Sequence, residues 1–296
     1  MMNVRFWGTR GSIATPGAST MRYGGNTSCV ELRAGSNVII FDAGTGIREL
    51  GNQLLKEFAG KPLTIHVFIS HTHWDHIQGF PFFLPAYEKK NTIHLYGPPG
   101  RDKSLDKILT IQMDSDYFPV ELGAMSADLH VHELREEDIT IGDFTVRHFY
   151  LNHPALCLSY RVSDGTSSVV YATDNEPYQG TLFKHAQNEA TALDFPTYLD
   201  EKFVDFLNNA DLLIGEAQYT SEEYEEKRGW GHSPLESVVR FAVQANVKKF
   251  ALFHHDPMHD DAFVDGMIRE ASQLVKHYGG TTECLGAREG LELSLP

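Results

Sequence analysis

Residues Ser70 to Phe80 read "SHTHWDHIQGF", with three histidines and an aspartate inside six positions, directly after "LTIHVFI", Leu63 to Ile69, which reads as a buried strand. His71 and His73 are two apart, so on an extended loop leaving a strand they can converge on one point, while Asp75 and His76 reach a second point a few ångströms away. One metal ion would not need all four. Imidazoles and carboxylates without thiolates suit Zn²⁺, Mn²⁺ or Fe²⁺, and two such ions about 3.5 to 4 Å apart make a hydrolytic site.

The rest of the chain bounds what such a site could serve. At 296 residues and 42% hydrophobic content, the chain can bury a large core without disulfides. The formal net charge is −15, and no run of Lys or Arg marks a basic patch, so the expectation is that long nucleic acids are not partners. Cys29, Cys157 and Cys284 lie far apart and form no C-x-x-C pair, which argues against a disulfide framework or a thiolate zinc site and for a reducing, cytoplasmic compartment. No apolar run reaches the roughly 18 residues of a membrane span, and no signal-peptide core is present at the N-terminus, so no membrane partner is expected. A homo-oligomer is left open.

Outward from the histidine cluster, short apolar runs alternate with turn signals. "NVRFWG", "SCVELRAG", "NVIIFDAG", "LTIHVFIS" and "NTIHLYG" read as strands in the first half. Ile47, Leu50, Leu54 and Phe58 recur at helical spacing. Residues 101–129 look irregular, a lid over a site or a surface excursion. In the second half "ITIGDFTVRHFYL", "LCLSYRVSD", "SSVVYATD", "DLLIGEA" and "KKFALF" read as strands, with a hairpin turn at Asp164-Gly165 and a final strand "GLELSL". Helices are expected within residues 177–209, over "AFVDGMIREASQLVKHYG", and after Ser233, where Ser233, Pro234 and Glu236 read as a capping box. Two β-rich halves, each finished by helices, suggest two packed sheets with helices outside in one domain over residues 1–296.

The run H-T-H-W-D-H followed by Gly79 resembles the H-x-H-x-D-H signature of the metallo-β-lactamase superfamily, and the resemblance extends over essentially the whole chain. It implies an α/β (α+β) fold, a four-layer αββα sandwich of two mixed sheets with helices outside. It also implies two divalent ions, zinc first, with manganese or iron as alternatives. His153 in "LNHP", Asp174 in "VVYATD" and His254 in "LFHHDP" match the later ligand positions, each at the end of an expected strand. By that resemblance His71, His73 and His153 hold one ion, Asp75, His76 and His254 the other, and Asp174 bridges them. Asp42 in "IIFDAGTG" matches the loop beneath the metals, where it would accept a hydrogen bond from a ligand imidazole. His254 is preferred over the adjacent His255, with His255, Asp256 and His259 left as supporting or surface groups.

Further elements resemble the phosphodiesterase branch of the superfamily, which includes tRNA 3′-processing endonucleases: "LLIGEAQY" and "GWGHSPLES". That resemblance implies that Glu216 orients His232, and that His232 contacts the phosphate and assists the leaving oxygen. Arg22 and Asn26 in "TMRYGGNTS" sit where that branch has a phosphate-side loop. Two divalent ions offset by Asp75 and Asp174 leave a formal charge of roughly +2, or roughly +1 with a bridging hydroxide, which favours an anionic substrate. Only about twenty residues separate His153 from Asp174, too few for the long arm with which tRNase Z holds tRNA, and the cysteine-rich zinc site of the phosphonate-pathway phosphodiesterases is lacking. The reading is therefore a hydrolase of a small or cyclic phosphodiester, a nucleotide among the candidates, using a metal-bridging hydroxide oriented by Asp75. The alternatives are a carbonyl-directed hydrolase of a lactone or thioester on the same metal core, and a non-catalytic metal-binding sensor. Di-iron redox relatives replace the second histidine by glutamate, whereas this chain has His73.

Overall fold

A computed structural model describes residues 2–35, 37–178 and 194–296 of the chain. They divide into two compact units, Met1–Asp143 with Arg288–Pro296, and Phe144–Ala287.

The first unit contains β1 (Met2–Gly8), β2 (Cys29–Ala34), β3 (Asn37–Phe41), α1 (Ile47–Glu57), β4 (Thr64–Phe68), α2 (Trp74–Ile77), β5 (Thr92–Gly97), α3 (Leu105–Gln112), β6 (Asp128–Glu133) and β7 (Ile139–Ile141). The second contains β8 (Phe144–Leu151), β9 (Cys157–Ser163), β10 (Ser168–Ala172), α4 (Asp194–Leu207), β11 (Leu212–Glu216), α5 (Ser221–Lys227), α6 (Leu235–Gln244), β12 (Lys249–Phe253), α7 (Asp261–His277) and β13 (Glu283–Gly286). The chain then adds β14 (Glu292–Leu295), which pairs antiparallel with β1 in the first unit.

Each unit is built on a mixed sheet. In the first the order is β14-β1-β2-β3-β4-β5-β6, antiparallel as far as β3 and parallel from β3 to β6. In the second the strands follow β13-β12-β11-β10-β9-β8, antiparallel among β8, β9 and β10 and parallel from β10 to β13. The parallel strands read as nearly unbroken apolar runs because both of their faces are buried, as in "SVVYA" of β10 and "LLIGE" of β11. Helix α1 lays Ile47, Leu50 and Leu54 onto Ile40, Ile65, Val67 and Leu95 of the first sheet. Helices α6 and α7 lay Val239, Ala242, Met267 and Ala271 onto the core of the second.

Two expectations change. Residues 101–129 are not irregular throughout: α3 lies there, and Leu105, Leu109 and Met113 are fully buried in the first unit's core. The capping box is not at Ser233. Helix α6 begins at Leu235 with Pro234 in the cap position and no side-chain cap, and Glu236 accepts instead from Tyr278 Oη at 2.8 Å. The reciprocal box caps α5, where Thr220 and Glu223 bond each other's backbone N–H. Of the helical stretch expected within residues 177–209, α4 is present, and residues 179–193 lie outside the described residues.

Parallel strands point their carboxyl ends the same way, and the loops leaving those ends carry the chemistry. Asp42 follows β3, His71 to His76 follow β4, Asp174 follows β10, Glu216 ends β11 and His254 follows β12.

Candidate metal centre

In the first unit His71 lies in the loop after β4, and His73 sits at the N-cap of the one-turn helix α2 that carries Asp75 and His76. The His71 ring centroid is 4.5 Å from that of His73 and 4.2 Å from that of His76. Asp42 is fully buried beneath them. Its Oδ1 accepts from Ser70 N at 2.6 Å, and its Oδ2 takes both the Ser70 hydroxyl at 2.8 Å and His76 Nδ1 at 2.7 Å. With Nδ1–H given to Asp42, the His76 lone pair is on Nε2, 3.1 Å from Asp75 Oδ2. Asp75 Oδ2 also accepts from Ser12 N at 2.7 Å. The two loops interlock through Ala43 N to His76 O and Gly79 N to Ala43 O, so closely that a Cβ on Gly79 would lie 2.0 Å from Gly44 O.

The second unit repeats the device. His153 Nδ1 donates to Gly231 O at 3.0 Å, and its Nε2 lies 3.9 Å from Asp174 Oδ2. His254 Nδ1 meets Gln218 Oε1 at 3.1 Å, and its Nε2 lies 3.3 Å from Asp174 Oδ1. In all three pairs an imidazole lone pair faces a carboxylate oxygen. Two acceptors face each other stably only across a proton or a metal ion, and the buried, thiolate-free donor set fits a divalent metal. Asp42, Asp174 and His254 have φ of 60°, 47° and 57°, a left-handed conformation that costs non-glycine residues of order 1–3 kcal/mol and collects at functional positions.

His232 is buried, with Nδ1 3.9 Å from Asp174 Oδ2 and 3.8 Å from Glu216 Oε2. Glu216 is thus beyond hydrogen-bond distance of the imidazole. Its carboxylate instead accepts from Asn175 N at 3.1 Å, Ser233 N at 2.7 Å and Gln218 N at 3.2 Å. It fixes the backbone next to Asp174 and His232. Burial, then the charge of Asp174, push its pKa upward against the three N–H groups. His232, Asp174 and His254 also bring one ligand atom each within 4.8 Å of one another.

Two holding groups escaped the sequence reading. Gln218 fixes the His254 ring, although it stands two positions after Glu216 in the same "GEAQY" run. Glu176, buried, accepts from Gly229 N at 2.8 Å, Gly231 N at 3.0 Å and Tyr224 Oη at 2.7 Å, pinning the Gly-Trp-Gly turn before His232. His255 turns away, with Nε2 2.9 Å from Ala287 O, and His259 Nε2 meets Glu223 Oε1 at 2.8 Å. Asn26 holds Glu289 through its N–H and its amide, at 2.7 and 3.1 Å, and Arg22 is exposed, its guanidinium 5.4 Å from the Tyr23 ring centre.

The profile of the Beta-lactamase superfamily domain matches residues 37–255, a span that runs from just before Asp42 to just after His254. A protein of Thermococcus kodakarensis named Ribonuclease Z is 27% identical, over 86% of this chain and 84% of its own length. The structure of a metallo-β-lactamase fold protein from Bacillus subtilis superposes with a TM-score of 0.68 at 19% identity, covering 99% of this chain and 98% of the other. The short form of human tRNase Z gives 0.63 at 20% identity, covering 99% of each.

These relatives overturn one expectation. The acidic composition and the short His153 to Asp174 spacing argued against long nucleic acids, yet the aligned relative is named a ribonuclease. Net charge is a sum over the whole surface, whereas nucleic-acid contact depends on the local potential, which bound divalent ions dominate at such a site. Among the described residues no helix is long and apolar enough to cross a membrane. With the profile spanning about three quarters of the chain and enclosing both donor clusters, this protein belongs to the metallo-β-lactamase superfamily and is a metal-dependent hydrolase.

Proposed function

We propose that this hydrolase is a dinuclear metal-dependent phosphodiesterase acting on a small or cyclic phosphodiester, nucleotides among them, with residues 1–296 working as one catalytic domain. His71, His73 and His153 would hold one ion and Asp75, His76 and His254 the other, with Asp174 available to both. The observation that carries this reading is the repeated pair of a Nδ1-anchored imidazole and a carboxylate, at His76–Asp75, His153–Asp174 and His254–Asp174. When bound, two divalent ions, zinc before manganese or iron, supply a hydroxide nucleophile from water and Lewis acidity toward phosphoryl oxygens. The chain's own residues do the rest. Asp75 orients the attacking water, and His232 protonates the leaving oxygen. Glu216, through Ser233 N and Asn175 N, keeps His232 and Asp174 in register. The three free cysteines, two of them buried, support a reducing compartment, the cytoplasm.

RNA is the second reading, favoured by the Ribonuclease Z relative aligned over 86% of the chain. Metal-loaded protein assayed on bis(p-nitrophenyl) phosphate, cyclic nucleotides and a precursor tRNA with a 3′ trailer separates the two readings. Cleavage of the small substrates supports the first, and 3′ trailer removal alone supports the second. Hydrolysis of a lactone or thioester with no phosphodiester cleaved would overturn both in favour of carbonyl chemistry.

A further inference from the structure

Four histidines outside the candidate centre share one face of the first unit's sheet. The parallel register sets His66 of β4 opposite His94 of β5, and His94 opposite His130 of β6. The next row on the same face sets Tyr96 opposite His132. Neighbouring imidazoles stack, with centroids 5.1 Å apart for His66–His94 and 4.9 Å for His94–His130. Stacking alone would accept any aromatic side chain. The diagonal contact is specific to imidazole: His94 Nδ1 lies 3.2 Å from His132 Nε2.

We propose that this face is a second metal site, in which His94 Nδ1 and His132 Nε2 chelate one divalent ion of nickel or copper. Two imidazole nitrogens at about 2.0–2.1 Å from one ion, subtending 90–109°, stand about 2.9–3.4 Å apart, and the observed separation falls in that range. Both rings present themselves from adjacent strands, which fixes their spacing before any ion arrives and removes part of the ordering cost of chelation. The set is nitrogen-only and open to solvent, with His132 exposed on the edge strand β6, so water fills the remaining coordination positions. His130 is oriented by Asp128, whose Oδ2 lies 3.0 Å from its Nε2, and His66 Nδ1 is 3.3 Å from Tyr96 Oη. Desolvation first, then repulsion from neighbouring histidines, lowers the pKa of His94 and of His132. Both rings are therefore neutral near pH 7 and have lone pairs to give.

The competing account of the same 3.2 Å contact is one N–H···N hydrogen bond between two neutral rings. Titrating Ni²⁺ calorimetrically into zinc-loaded, desalted protein, with zinc release followed by a chromogenic chelator, separates them. The wild type is expected to take up one Ni²⁺ without releasing zinc. His132→Gln and His94→Gln are each expected to weaken that binding by about tenfold or more. His132 lies on an edge strand and is exposed, so its variant keeps the fold even if the His94 variant does not, and circular dichroism checks both. No Ni²⁺ uptake by the wild type, uptake only in exchange for zinc, or unchanged uptake in His132→Gln would each overturn the site.

Discussion

Gly231→Ala isolates what the Gly-Trp-Gly turn does for His153. Gly231 has φ +89°, and a Cβ placed there would lie 2.3 Å from His153 Nδ1 and 2.4 Å from Pro154 Cδ. Restoring ordinary contact at about 3.4 Å requires the imidazole to retreat by roughly 1 Å, and a misplacement of that size can lower turnover about 10²-fold. Gly229 is the matched control. Its φ is +88°, so alanine there carries the same left-handed penalty of order 1–2 kcal/mol, but nothing lies within 4 Å of its Cβ. Each variant is therefore expected to lower the melting temperature by a few degrees, at about 2–4 °C per kcal/mol. Only Gly231→Ala is expected to lose about 10² in turnover on bis(p-nitrophenyl) phosphate, together with one equivalent of bound metal. Steady-state kinetics, metal analysis and thermal melts on the pair decide it. Equal losses of turnover in the two variants, or full metal content in Gly231→Ala, would refute the assignment of His153 as a ligand held by this turn.

Other outcomes follow from the same geometry. His232→Ala is expected to keep both metal equivalents and to lose roughly 10² to 10⁴ in turnover, less on substrates with good leaving groups; loss of an ion would make His232 a ligand. Asp42→Asn removes the carboxylate that receives His76 Nδ1–H and is expected to weaken metal binding about 10–100-fold, measured by competition with a chromogenic chelator. His66, held to a pKa of about 4 by desolvation and by His94 and His132, is harder to protonate in the folded state than in the unfolded one. Its stabilising contribution is whole above about pH 6.5 and is lost as the pH falls toward 4. Relative to His66→Phe, which keeps the stacking with His94 and Tyr96, the wild type should lose melting temperature over that window, and a constant difference would contradict the shift.

The positions of most strands along the chain and of the loops that leave them were legible because their signals are local. An apolar run ending in a cluster of His and Asp shows both a buried strand and what leaves its end, as at β4 and at "LFHHDP" after β12. Helix α1 showed through the spacing of Ile47, Leu50 and Leu54. What stayed hidden depends on distant partners. Strand β6 was missed because "DLHVHE" carries polar side chains at alternate positions, as befits an edge with one face exposed. Helix α3 was read as irregular although Leu105, Leu109 and Met113 recur at helical spacing, because the polar residues around them and the turns that follow mask so short a stripe, and only the core they meet shows its use. Ser233 fits a cap by its neighbours, but its hydroxyl donates to Asn175 O, 58 residues away, an interaction no local pattern encodes. The positive φ of Asp42, Asp174 and His254 is likewise invisible in sequence, since nothing about Asp or His demands it.

The central claim is that two divalent ions, held by these imidazoles and carboxylates, cleave a phosphodiester. The most direct measurement titrates chelator-stripped protein with Zn²⁺ or Mn²⁺, following bound metal and phosphodiester cleavage in the same samples. The expected result is that cleavage is absent in the stripped protein and rises as binding approaches about two equivalents. Fewer than about two equivalents bound by a folded protein, with no cleavage restored by either ion, would contradict the claim and leave a metal-binding sensor in its place.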